Sequence, residues 1–246
     1  MDILTEIIAH KRSEIKTLTR KRVSMKAALA SSPSGIIAEF KRRSPSKGWI
    51  KADARVEDII PAYEAEGAAA LSILTDKDYF GAQPEDLPAA RSLTRLPILR
   101  KDFIIDTLQL YEAREMGADA VLLIAACLDK ETCRRLAEEA HRIGLEVLLE
   151  LHDASELDYA DLPVEMLGVN NRHLGTFHTD VSHSLALVEE LKMRLEGMPA
   201  DSRPLLVAES GIRSAEDIRR LRECGYRGFL IGEHFMRGGG VHELAR

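Results

Sequence analysis

From Gly35 onward, short apolar runs alternate with amphipathic stretches. The runs are Ile36–Glu39, Ala70–Leu74, Ile98–Arg100, Ala120–Ile124, Glu146–Glu150, Met166–Val169, Leu205–Ala208 and Gly228–Ile231. Their apolar residues are consecutive rather than alternating, as in parallel strands covered on both faces. Between them, Val56–Glu66 sets Val56, Ile59, Ile60 and Tyr63 on one helical stripe and stops at Gly67. Thr107–Met116 stops at Gly117, Lys130–Ile143 at Gly144 and Ser214–Cys224 at Gly225. Glycine ends a helix well because it tolerates left-handed backbone. Asp106 and Ser214 are the expected N-caps of two of these helices.

Eight strands with intervening helices predict an α/β fold, a single (β/α)8 TIM barrel. An open doubly wound sheet is the alternative. No G-x-G-x-x-G follows the first strand, which disfavours a dinucleotide-binding open sheet. Ile3–Leu18 and Val23–Ala30 read as helices of an N-terminal extension, residues 1–34, that packs on the barrel, residues 35–246. The 246 residues suit one structural domain of this kind.

Hydrophobic residues make up 45% of the chain, enough for one sizeable core. No apolar run reaches the length of about 18 residues that suggests a membrane span. The N-terminus lacks the features of a secretory signal. Cys127, Cys133 and Cys224 form no C-x-x-C pair, which argues against a disulfide framework or structural zinc and fits the cytoplasm. A formal net charge of −6 argues against nucleic acid and leaves room for a basic pocket that takes an acidic small molecule.

Barrel active sites sit at the C-terminal ends of the strands. There the sequence sets Glu39 and Lys41, Lys101 and Asp102, Glu150, Asn170 with Asn171 and Arg172, Glu209 with Ser210, and Gly232. Taken singly, Glu39 with Lys41 reads equally as a solvated loop pair, and Lys101 as part of a surface charge cluster. Glu150 and Glu209 each follow apolar residues, and an unpaired buried carboxylate there would be very costly, which favours a site. Ser210-Gly211 and Gly232 follow the last two strands, where barrels commonly bind phosphate; Ser44-Pro45-Ser46 could add hydroxyl donors. No histidine falls in a metal-binding spacing, and His178 and His183 read as loop residues. Gly238-Gly239-Gly240 reads as a bend before the terminal segment.

Ile37 to Ser46 (IAEFKRRSPS), Pro97 to Phe103 (PILRKDF), Val169 to Arg172 (VNNR) and Val207 to Ile212 (VAESGI) together resemble the signatures of indole-3-glycerol phosphate synthases, in order and in spacing. The resemblance covers about residues 2–237 and includes the N-terminal extension. It implies ring closure of 1-(2-carboxyphenylamino)-1-deoxyribulose 5-phosphate, with loss of carbon dioxide and water, in tryptophan biosynthesis. It implies no metal and no organic cofactor. On this resemblance Lys101 is the general acid, Lys41 pairs with the substrate carboxylate, and Glu150 assists dehydration. Glu39 and Glu209 hold the lysines and the substrate hydroxyls. Asn170 and Arg172 position the substrate, Ser210 contacts it near its phosphate, and Ser44, Gly211 and Gly232 bind the phosphate. The expected partner is a phosphorylated small molecule, with no nucleic acid and no membrane. Other tryptophan-pathway enzymes are the candidate protein partners.

The chain departs from the family pattern at Glu233, where Ser is common, at His173, where Asp is common, and across Gly81 to Pro84. Glu233 should turn its side chain away from a phosphate. Three rival readings remain: a phosphoribosylanthranilate isomerase, a Schiff-base aldolase using Lys101 as nucleophile, and a non-catalytic barrel.

Overall fold

A computed structural model describes residues 2–18, 22–172, 175 and 179–245, without the side chains of 13–18. His173 and His178 lie outside the described residues. Eight parallel strands close into a barrel: β1 (Ile36–Phe40), β4 (Ala70–Leu74), β5 (Ile98–Lys101), β6 (Ala120–Ile124), β7 (Glu146–Leu151), β8 (Met166–Asn170), β9 (Leu205–Glu209) and β10 (Gly228–Ile231). A small hairpin, β2 (Arg43–Ser44) and β3 (Gly48–Trp49), follows β1. The predicted TIM barrel is therefore present, and the open sheet is excluded by the β1–β10 pairing that closes it.

Five strands run one residue further than their apolar runs predict: β1, β5, β7, β8 and β9. The extra residues stay in the ladder, Leu74 opposite Lys101 and Asn170 opposite Glu209, although polarity has already risen at the mouth. Strand pairing outlasts the hydrophobic signal, so Lys101, Asn170 and Glu209 sit on strands rather than on loops.

The helices follow the expected stripes. They are α3 (Val56–Ala65), α6 (Thr107–Met116), α7 (Lys130–Arg142) and α9 (Ala215–Glu223). Asp106 and Ser214 each close a reciprocal capping box with the residue three positions on. The apolar stripes did not single out α4 (Lys77–Phe80), α5 (Asp86–Leu93) or α8 (Ser182–Glu196). Between β7 and β8 a 3₁₀ run, Ala154–Asp161, replaces the α-helix. The chain ends in α10 (Glu233–Met236) and α11 (Val241–Leu244).

Two apolar layers hold the barrel. Outward side chains such as Leu71, Val121, Leu149 and Val169 pack under the helices. Inward side chains, among them Ile37, Leu99, Leu122, Leu148 and Leu230, fill the lower half of the barrel. Of the N-terminal extension, α1 (Ile3–Leu18) presents Ile3, Leu4, Ile7 and Ile8 to solvent. α2 (Met25–Ser31) pushes Met25 and Leu29 into the inner layer and plugs the lower end. α2 starts two residues later than the apolar pattern of Val23–Ala30 indicates, because Ser24 caps it and accepts from Ala27 N. With the lower end filled, the upper end of the barrel remains open for chemistry.

Candidate active site

Residues two apart on a strand share a face. The inward positions of the barrel therefore continue upward past the apolar layer as Glu39 and Lys41, Lys101 and Phe103, Glu150 and His152, Asn170 and Arg172, and Glu209 and Gly211. All of them line one cavity of about 810 Å³ at the mouth. Arg100, next to Lys101, points outward and pairs with Asp102 at 3.0 Å and Glu112 at 2.6 Å. The charge cluster around Lys101 thus divides between two faces, and only the lysine and Asp102 reach the cavity.

Lys101 Nζ lies 2.7 Å from Glu150 Oε2 and 3.3 Å from Glu209 Oε2. Lys41 pairs with Glu39. Glu39, Glu150 and Glu209 are all buried. Two glycines give the carboxylates room: a Cβ at Gly168 would run into Glu209 Oε1, and one at Gly232 would run into Glu39 Oε1. Gly232, expected as a phosphate ligand, thus also serves to seat Glu39.

Burial alone would lower the Lys101 ammonium, but Glu150, Glu209 and Glu39 outweigh it and hold the group well above the usual lysine value. Burial would likewise raise Glu150; Lys101, with His152, reverses that and pushes the carboxyl down. Glu209 goes the other way, to about 8, because burial and the charge of Glu150 exceed the pull of Lys101. Of the two carboxyls on Lys101, Glu150 is thus biased toward the anion and Glu209 toward the neutral acid. A proton donor, an anionic base and a neutral acid meet within one hydrogen-bonding radius, which suits general acid–base work.

The cavity is polarised. Leu74, Phe80, Phe103, Leu122 and Ile124 form an apolar side, with the Phe80 and Phe103 rings 6.4 Å apart. The opposite side carries Ser44, Ser46, Lys47, Arg172, Thr179, Ser210, Gly211 and Arg213. Arg172 Nη1 donates to Ser46 Oγ at 2.7 Å, and Arg172 N donates to Asn170 Oδ1 at 3.1 Å. Among the described residues Ser210 is the one non-glycine with positive φ, at 65°, followed by Gly211 at 74°. Such backbone costs roughly 1–3 kcal/mol and clusters at functional sites. Glu233 borders this side, and Arg237 Nε donates to its carboxylate at 3.1 Å.

The strand-end candidates Glu39, Lys41, Ser44, Lys101, Asp102, Glu150, Asn170, Arg172, Glu209, Ser210, Gly211 and Gly232 reach the cavity rim or floor, and Asn171 does not. Sequence reasoning missed His152, whose Nε2 lies 3.2 Å from Glu150 Oε1. Its signal was parity, two residues past Glu150. It also missed the use of Asn171, which is buried and donates to Glu209 O and Ser210 O at 3.1 Å while accepting from Ser184 N and Oγ. Asn171 thereby pins the loop that carries Ser210. Lys47 and Arg213, further cations of the polar side, also went unnoticed. Among the described residues no group of His, Cys, Asp and Glu could hold a metal ion, and no helix is long and apolar enough to cross a membrane.

The fold alone is shared with distant proteins. Thiamine phosphate pyrophosphorylase from Pyrococcus furiosus superposes with a TM-score of 0.59 at 17% identity, over 87% of this chain and 93% of its own. The flavin-binding domain of baker's yeast flavocytochrome b2 gives 0.58 at 12% identity, over 77% and 57%. Sequence is more specific. Indole-3-glycerol phosphate synthase from Bacteroides thetaiotaomicron is 55% identical over 252 residues, covering 96% of this chain and 93% of its own. The enzyme of the same name from Azoarcus sp. is 42% identical over 267 residues, covering 99% and 98%. The family model described as indole-3-glycerol phosphate synthase matches residues 3–246, and the chain belongs to that family.

Proposed function

We propose that this chain converts 1-(2-carboxyphenylamino)-1-deoxyribulose 5-phosphate to indole-3-glycerol phosphate, carbon dioxide and water, with Lys101 as general acid. The observation that carries the assignment is the Lys101 ammonium flanked by Glu150 and Glu209 on the cavity floor. The amine is kept charged, and so is loaded to protonate the ketone oxygen as the ring closes. Lys41, paired with Glu39, orients the anthranilate carboxylate before it leaves. Glu150, kept ionised by Lys101, takes the proton released during dehydration. Glu209 and Glu39 bind substrate hydroxyls and hold the lysines.

The polarity of the cavity supports one orientation. The anthranilate ring takes the apolar side, and the phosphate takes the side of Ser44, Arg172, Ser210, Gly211 and Gly232. Glu233 fits this reading because Arg237 offsets its charge. The extension and the barrel act as one structural domain. The activity belongs in the cytoplasm, beside the other tryptophan-pathway enzymes, which suits three free cysteines.

The test is a fluorescence assay for indole-3-glycerol phosphate with the purified chain, no added metal, and a chelator present. Turnover is expected. A folded but inactive sample overturns the proposal; a borohydride-trapped adduct with a carbonyl substrate would point instead to Schiff-base chemistry at Lys101.

A further inference from the structure

Each oxygen of Glu150 faces a nitrogen. Lys101 Nζ meets Oε2 at 2.7 Å, and His152 Nε2 meets Oε1 at 3.2 Å. A carboxylate only accepts, so the imidazole can serve an ionised Glu150 through a hydrogen on Nε2. His152 is itself pinned. Its N donates to Glu156 Oε2 at 2.5 Å, and its carbonyl oxygen meets His183 Nε2 at 2.6 Å. The imidazole is 7% exposed and lines the cavity. Its Nδ1 is buried without a hydrogen bond, 4.0 Å from Glu156 Oε2. A ring placed only to fill space would not need a polar atom left bare in this way, and an apolar residue of the same size would avoid the desolvation.

We propose that His152 is a positioning residue for the reaction: it fixes the carboxylate plane of Glu150 by holding Oε1, while Lys101 holds Oε2. The inference rests on the assignment of Glu150 as the acid–base carboxylate. When the substrate ketone draws the Lys101 ammonium away, Oε1 keeps its donor, and Glu150 stays aimed into the cavity rather than rotating about its terminal bond. His183 and Glu156 act one step further out, by holding the His152 backbone.

The test compares His152→Met with His152→Gln in the full chain. Both replacements fill similar space, and only glutamine can present an N–H near the position of Nε2. Misplacement of a catalytic group on the ångström scale lowers rates by up to about 100-fold. His152→Met should therefore lose about 10- to 100-fold in kcat with KM within about threefold. His152→Gln should recover most of that loss at an unchanged melting temperature. If the methionine variant does not fold, His152→Asn takes its place, because its shorter amide cannot reach Glu150. Near-normal kcat in the variant without a donor overturns the inference, and so does a glutamine variant no better than it. Glu150→Gln, assayed alongside, separates the two readings. If it turns over normally, the assignment of Glu150 fails and His152 falls with it. If it is inactive while the Met and Gln variants match, only the role of His152 fails.

Discussion

At the lower end of the barrel, Asp119 is fully buried and accepts from Val23 N at 2.8 Å, Ile98 N at 3.0 Å and Arg91 Nη1 at 2.9 Å. At the mouth, Glu209 is as deeply buried, yet neither of its oxygens accepts a well-formed hydrogen bond. The same contrast runs through the neighbours. Glu146 takes Met25 N at 2.7 Å and Lys26 N at 2.9 Å, and Glu165 takes Val147 N at 2.9 Å. Glu39 and Glu150 instead face ammonium groups. A backbone N–H cannot leave its place, whereas a lysine on a flexible four-carbon stem can trade a carboxylate for a substrate oxygen. Carboxylates at the lower end are spent on holding the fold, and those at the mouth stay available for exchange. Buried groups that lack full satisfaction cost stability, so their concentration around one cavity marks where function set the sequence.

The largest expected effect breaks the mouth alone. Lys101→Ala should reduce turnover by about 10²–10⁴-fold, the usual contribution of a positioned acid or base. It also takes the buried cation from Glu150 and Glu209, so some stability is lost as well, and turnover is compared per folded molecule. Steady-state kinetics beside a thermal melt decides this. Near-normal turnover removes Lys101 from the role of acid.

How far the sequence foretold this contrast depends on distance along the chain. Strand–helix alternation is local, and it located all eight barrel strands. The strand-end rule then found Lys101, Glu150 and Glu209, because a charge that closes an apolar run is conspicuous. His152 escaped because it lies one residue beyond the strand, where a polar residue looks like ordinary loop. Asn171 escaped because its side chain works across a separation of 38 residues. The lower end was hidden almost entirely: Val23 meets Asp119 across 96 residues, and Ser24 meets Glu146 across 122. Nothing local in the sequence announces a carboxylate that caps a helix from so far away.

Asp119→Ala is the mirror experiment. It leaves Arg91 without its buried anion and removes the acceptor of Val23 N and Ile98 N. Breaking a buried pair by removing one partner typically costs about 3–5 kcal/mol. Urea unfolding should show a loss of that order, with kcat of the remaining folded protein unchanged. A variant that keeps its stability but loses turnover would dissolve the division between the two ends.

A smaller effect sharpens the comparison through pH. Folding raises Glu209 from 4.5 to about 8, so the folded chain holds a proton that the unfolded chain gives up. Its stabilising contribution is complete below pH 4.5 and is lost as pH rises through about 8. Inside that window unfolding releases a proton, so stability falls as pH rises. Glu209→Gln imitates the protonated form and cannot titrate. The urea midpoint of the variant, followed from pH 5 to 8, should fall less than that of the wild type. Parallel curves would show that Glu209 is ionised at neutral pH.

The smallest effect lies at the plug of the lower end and asks whether its carboxylates act through fixed donors at all. Ser24 does two things there: its Oγ accepts from Ala27 N at 3.0 Å as the cap of α2, and it donates to Glu146. Ser24→Ala removes both contacts but leaves Glu146 bound to Met25 N and Lys26 N, so only a cap-sized loss of about 1 kcal/mol is expected. Ser24→Asp separates the contributions. Aspartate caps as well as serine, but it sets a second carboxylate against Glu146 and loses the hydroxyl donor. If the helix cap dominates, the aspartate variant should match the wild type in a urea melt. If the contact with Glu146 dominates, it should be no better than alanine. Either result leaves kcat untouched, because α2 meets the barrel across the whole inner apolar layer from Lys101.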